Sequence, residues 1–183
     1  YNKIAETLKS PEAKQLVEQD FSIDTCTDFS LLNLMGYLLL AEKDYASCIR
    51  IFEKYIILAQ QNEDKEHEHI GLHQLAMIYR DQGDFHKALK LIEDEEKIVE
   101  EHFPNDNLKK AVNNYEQGYL RLKLNNLDEA LTFMNLSLEQ SLETDDVISQ
   151  ACSYRGLGEI YLALEDTELS NRHFKRAIEL FES

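Results

Sequence analysis

Basic residues are scarce in this chain: 19 lysines and arginines face 35 aspartates and glutamates across 183 residues, giving a formal net charge of −16. Direct nucleic-acid binding is therefore not expected, because phosphate contacts need clustered cations. Cysteine is sparse too, and Cys26, Cys48 and Cys152 are odd in number and unpaired in spacing, which excludes a disulfide framework. No run is apolar enough for a bilayer: the longest, residues 31–41, is broken by Asn33 and too short to span one. No charged-apolar-small signal segment opens the chain, so no membrane partner is expected and a cytoplasmic location follows as the default. The start at Tyr1, without an initiator Met, reads as a processed, trimmed or excised chain. With 43% apolar residues the chain is long enough to bury a sizeable core as one domain, 1–183.

Signatures of catalysis are missing as well. Gly156-x-Gly158 has no third glycine and lies within a helical pattern, so it makes no phosphate loop. No Ser or Cys stands in a recognisable nucleophile setting beside a histidine. In His67-Glu-His69-Ile-Gly-Leu-His73, the last two histidines lie one turn apart and could grip a metal ion. That segment lacks the His-Glu-x-x-His spacing and has no further ligand nearby, so a solvated helix start is the plainer reading. No metal or other cofactor is expected, and no enzyme activity. The acidic run Glu93-Asp-Glu-Glu-Lys97 could attract a basic partner, but such runs ordinarily form the wet outer face of a helix. Asn135-Leu-Ser137 fits the glycosylation acceptor pattern only incidentally, since it sits inside a predicted helix.

What is present is a repeat. In residues 71–92, Leu72, Leu75, Ala76 and Tyr79 recur three and four apart, as do Phe85, Ala88, Leu89 and Ile92, so two amphipathic helices flank a tight turn at Gly83-Asp84. Gly83 suits a helix end that needs φ > 0, and Asp84 suits the next N-cap. The same pattern occurs three more times. Gly36, Ala76, Gly118 and Gly158 are each followed twelve residues later by Cys48, Ala88, Ala130 and Ser170, and four residues beyond those by Phe52, Ile92, Met134 and Phe174. Antiparallel helices approach closely where a side chain is nearly absent, and a large apolar residue one turn on fills the adjoining space.

The expected pairs are 28–42 with 45–61, 66–82 with 84–101, 107–124 with 127–142, and 146–164 with 167–182. Thr144 is the expected cap of the last pair, and Pro104 separates the second pair from the third. Two short helices, 1–9 and 11–20, are expected before the loop 22–28. The last helix, apolar on one stripe and charged elsewhere, is expected to close the array without an exposed apolar end, as residues 1–20 do at the other.

Leu-x-x-Leu-Ala-x-x-Tyr…Ala-x-x-x-Ile in the second unit, and Tyr154-x-x-Leu157-Gly158-x-x-Tyr161 with Phe174-x-x-Ala177 in the fourth, resemble the tetratricopeptide repeat. The resemblance covers about residues 27 to 183, leaving 1–26 as N-terminal helices and loop. The glycine column steps by 40, 42 and 40 residues, longer than the usual unit of about 34. This long variant is similar to kinesin light chains and to peptide-sensing domains of bacterial regulators. Asn114 and Arg121 depart from the aromatics that the family prefers. The fold implied is an all-α, right-handed α-solenoid of antiparallel helix pairs.

The function implied is a non-catalytic protein- or peptide-binding scaffold. The alternative is the peptide-sensing effector domain of a bacterial transcription regulator or response-regulator phosphatase, its output domain lying outside this chain. In such a fold, positions three before, one after and four after each small residue face the concave side. These are Asn33, Tyr37 and Leu40; His73, Met77 and Arg80; Tyr115, Tyr119 and Leu122; and Arg155, Glu159 and Leu162, with Lys123 at the rim. Tyrosines beside cations in an acidic chain point to an acidic or carboxylate-bearing peptide. Against this stands closure of the groove by side chains packing on one another. The family's two-carboxylate clamp for chaperone tails is not reproduced.

Overall fold

The computed structural model describes residues 22–182, so the two short N-terminal helices expected from the sequence lie outside the described residues. Eight helices follow in order: α1 (Phe29–Ala41), α2 (Tyr45–Gln61), α3 (Lys65–Asp81), α4 (Phe85–His102), α5 (Asn107–Lys123), α6 (Leu127–Leu142), α7 (Val147–Ala163) and α8 (Thr167–Phe181). There is no strand among the described residues.

Local chemistry places the ends. Five turns use one device, in which a residue with positive φ (Lys43, Glu63, Gly83, Asn125, Glu165) precedes an Asp or Asn. The amide of that following residue reaches back to a carbonyl five positions earlier, as Asp84 N does to Tyr79 O at 2.9 Å and Asp166 N to Tyr161 O at 2.9 Å. This closes one helix in a Schellman-type end. The same Asp then caps the next helix: Asp44, Asp84 and Asp166 accept from the amides of Ser47, Lys87 and Leu169. The cap of α7 differs from expectation. Asp146, not Thr144, holds that position and accepts from Ile148 N, while Thr144 Oγ1 donates to Ser141 O and so serves the end of α6.

The chain divides into two compact units, Tyr1–Ile78 and Tyr79–Ser183, with the boundary inside α3. In the first unit a Cβ built at Gly36 would come 2.5 Å from the Phe52 ring, so α1 and α2 meet where the side chain is missing. Cys48 Sγ donates to Gly36 O at 3.2 Å. Burial, with the Asp44 charge adding to it, pushes the Cys48 thiol up to about 12, which makes it an inert packing residue. Leu32, Ile51, Phe52 and Ala59 complete an apolar core. His67, half-exposed, stacks on Phe29 at 4.0 Å between ring centroids and bonds Asp64 at 2.7 Å.

In the second unit Gly118 abuts the backbone of α6, at Met134 N and Ala130 O, and Gly158 abuts the Phe174 ring of α8. Ser170 Oγ donates to Gly158 O at 2.8 Å, so the two small residues of one unit are hydrogen-bonded across the helix pair. Met134 also fills the space beside Gly156, within a core formed with Ala130, Leu157 and Ile160. Ser137 is buried and bonded to Ala111 O and Ser153, and Asn135 is helical.

Between α4, α5 and α6 the interior is polar. Arg121 Nη1 donates to Gln117 Oε1, Gln117 Nε2 to Asn113 Oδ1, and Asn113 Nδ2 to Ile92 O, at 2.8 to 3.0 Å. Arg121 also pairs with Glu93 and Glu129 and lies over the Phe133 ring. Two expectations fail in this unit. Glu95, in the acidic run read as a wet face, is fully buried, because one turn of α4 points that position inward. The last helix has a charged outer face, but Ile178 and Phe181 remain 55% and 52% exposed because α7 covers only part of its apolar stripe.

Candidate ligand-binding face

Of the thirteen residues singled out from the register and its rim, ten are not leucines, and six of these ten fall in the second unit, where they touch or neighbour one another. Tyr115 and Tyr119, one turn apart on α5, have ring centroids 6.4 Å apart and nearly parallel planes. Arg80 and Lys123 each lie over the Tyr119 ring, at 5.6 and 4.9 Å from its centroid. From α7, Arg155 Nη2 donates to the Tyr115 hydroxyl, and Arg155 Nε stands 3.7 Å from Glu159. The periodicity explains this grouping, since 115 and 119, like 155 and 159, are one turn apart on their helices.

The charges are partly used internally. Arg80 Nη1 reaches both oxygens of Glu116, at 2.9 and 2.8 Å, and Glu116 is buried. Burial works against the Arg80 charge, but Glu116 more than offsets it and holds the guanidinium firmly protonated. Burial also pushes the Tyr115 phenol up to about 12 despite the nearby Arg155, so it is a neutral acceptor and donor at ordinary pH. Lys123 is exposed and has no ion pair among the described residues. Leu122 packs against the Ala130–Met134 core, as part of Tyr115 does, whereas Leu162 is 55% exposed.

The remaining four, Asn33, Tyr37, His73 and Met77, are half-buried in the first unit, and Leu40 is half-buried there as well. Asn33 Oδ1 is buried without a hydrogen-bond partner among the described residues. Sequence reasoning missed Glu116, whose link to Arg80 spans 36 positions and two helices and leaves no periodic trace. Among the described residues no helix is long and apolar enough to cross a membrane.

Comparisons with known proteins agree with this geometry. The tetratricopeptide repeat model matches residues 27–101 and 109–183, meeting at the Phe103-Pro104 break. No curated protein matches the sequence. Among solved structures, BtubC (BKLC) from P. vanneervenii has 20% identity and a TM-score of 0.75, over 98% of this chain and 72% of that one. A kinesin light chain-like protein of nearly identical TPR-like repeats from Podosopora anserina has 14% identity and a TM-score of 0.72, over 98% and 90%. MamA from Desulfovibrio magneticus RS-1 has 16% identity and a TM-score of 0.67, over 99% and 92%. Identities this low establish a shared fold alone, that of antiparallel helix pairs. With its register, turns and matched residues covering most of its length, the chain belongs to the tetratricopeptide repeat family.

Proposed function

We propose that the chain binds a peptide or an extended protein segment along the face carrying Tyr115, Tyr119, Lys123 and Arg155, and that this segment bears carboxylates. The observation that supports this reading best is the Tyr119 ring flanked by two cations, with Tyr115 and Arg155 beside it, in a protein of net charge −16. Tyrosine offers rigid, amphipathic contact area and arginine a planar donor fork, the residue types that dominate binding hot spots. Arg80 is occupied by Glu116, so a ligand carboxylate goes to Lys123 and Arg155 and leaves Arg80 as a fixed support under Tyr119. In the first unit the register gives Asn33, Tyr37, His73 and Met77 the same role.

Peptides selected from a random display library on the immobilised protein supply the probe. Tyr119→Ala and Arg155→Ala are each expected to weaken the selected peptide by about 1–2 kcal/mol, with an unchanged helical melt. Parent-like binding by both variants, or selection of peptides without acidic residues, overturns the reading.

A further inference from the structure

On the second helix of each pair, the residues eight and eleven after the small residue lie one turn apart on one face: Ile56 and Ala59, Glu96 and Val99, Leu138 and Ser141, Ile178 and Phe181. In the first three pairs this face meets the helix that follows. Ile56 abuts Gly71 of α3, α4 packs on α5, Leu138 lies against the core that α6 shares with α7, and Gln150 of α7 donates to the Ser141 carbonyl. Ala59, Val99 and Ser141 are accordingly buried. In the fourth pair the same face is open, with Ile178 and Phe181 more than half exposed.

Phe181 is also the wrong size for the helix spacing used by the other pairs. Ala59, Val99 and Ser141 let an adjoining helix come close, whereas a phenylalanine in that column holds it off. At the same end of the antiparallel pair, Val147 and Ile148 at the start of α7 are exposed as well. Large apolar side chains gathered this way mark a contact surface, and its shape differs from the three that stack pair on pair.

The flanking charges point to the occupant. Arg172, Lys175 and Arg176 form the densest cationic stretch of the chain, and Glu179 and Glu182 follow within two turns. Arg176 is bonded to Glu179 at 3.0 Å, whereas Arg172, Lys175 and Glu182 are exposed and have no ion pair among the described residues. A helix that is basic and then acidic is complementary to its own reverse. An antiparallel second copy of α8 sets its Glu179 and Glu182 against Arg172 to Arg176, while a parallel copy would set like charges side by side. With three cations against Glu168, Glu179 and Glu182, residues 167–182 are formally neutral in a chain of net charge −16. Two copies therefore meet there without the repulsion that the rest of the surface imposes.

We propose that the outer face of α8 pairs two copies of this chain about a two-fold axis near Ile178, with Ile178 and Phe181 of both copies at its centre and Lys175 of each beside Glu182 of the other. The interface uses none of the residues of the tyrosine face and does not rest on the peptide reading. A helix of 15 residues is about 22 Å long, so the contact falls at the low end of interface sizes, below about 1,200 Å² in all, and the dimer is weak and reversible.

Sedimentation equilibrium of the chain at physiological salt reads this directly. The apparent mass is expected to rise from that of the monomer toward twice that value between about 10 and 500 μM protein. Ile178→Glu/Phe181→Glu, at exposed positions and with an unchanged helical spectrum, should weaken association at least about tenfold. Lys175→Glu and Glu182→Lys should each weaken it alone, and the two changes in one chain should restore it, because together they reverse the pair without removing it. A monomer throughout that range, association unchanged in the apolar double variant, a charge-reversed chain that pairs no better than either single variant, or growth beyond the dimer would each overturn the assignment.

Discussion

The two units use one helix-pair register around unlike interiors. In the first, Leu32, Ile51 and Phe52 lie against Gly36, and the only buried charged or polar residue among those described is Glu68. In the second, Asn113, Asn114, Gln117 and Arg121 line one face of α5, and serines 137, 153 and 170 stand at helix contacts. The small-residue column fixes how closely helices approach, and the residues around it are then free to be apolar or polar provided each buried polar group finds a partner. The Asn113–Gln117–Arg121 chain meets that condition, and among the described residues it is Asn33 Oδ1, in the first unit, that falls short.

Exchanging the equivalent residues breaks this comparison most severely. Leu32→Asn puts an unpartnered amide into a fully buried apolar site and removes packed volume, which should destabilise the protein by about 2–5 kcal/mol. The reciprocal Asn114→Leu frees Gln140 from its bond but fills the open volume lined by Glu96, Val99 and Gln140 beside it, and should cost less than about 1 kcal/mol. Urea unfolding of both variants reads the difference. Equal losses would mean that the polarity of the interior is not a property of the unit in which each residue sits.

Close approach at the small residues gives the next largest effect. At Gly158 even a Cβ would lie 2.8 Å from the Phe174 ring, so Gly158→Leu should overpack the α7–α8 contact and cost about 1–3 kcal/mol or more. At Gly118 the obstacles are backbone atoms of α6 that cannot swing aside, so Gly118→Leu belongs in the same range. A thermal melt of Gly158→Leu identical to the parent would refute the register.

The helices were legible in the sequence because periodicity and capping residues act locally: every described helix begins and ends within one residue of its expected span. Thr144 is not the cap because three hydroxyl or carboxylate residues, Thr144, Asp145 and Asp146, stand before one helix start, and only geometry shows that Asp146 lies in position to accept. The acidic run failed for another reason. Charge predicts exposure on average, but Glu95 follows the inward stripe of α4, and the helix phase prevails over residue type. For the candidate face, the one-turn pairs Tyr115–Tyr119 and Arg155–Glu159 were legible from spacing. The bonds Arg80–Glu116 and Arg155–Tyr115 cross 36 and 40 positions, and sequence alone carries no signal for them.

The turns supply the smallest contrast, since the first unit builds its left-handed residues from long side chains and the second adds a glycine and an asparagine. In the first unit Lys43 and Glu63 take φ of +60° and +55°; in the second Gly83 takes +80°, and Asn125 and Glu165 take +63°. An L side chain costs about 1–2 kcal/mol in this conformation, and Asn less because its short amide bonds locally. No atom lies within 4 Å of a Cβ built at Gly83, so Gly83→Ala meets no clash and its expected cost of about 1 kcal/mol is conformational alone. Conversely, Lys43→Gly and Glu165→Gly relieve that strain but add freedom to the unfolded chain, so each should stabilise by less than about 1 kcal/mol, and Asn125→Gly by less still. Urea midpoints at unchanged slope measure all four. A neutral Gly83→Ala, or a loss on Lys43→Gly as large as that of Gly83→Ala, would mean that packing around the turns, and not the left-handed backbone, sets their contribution in both units.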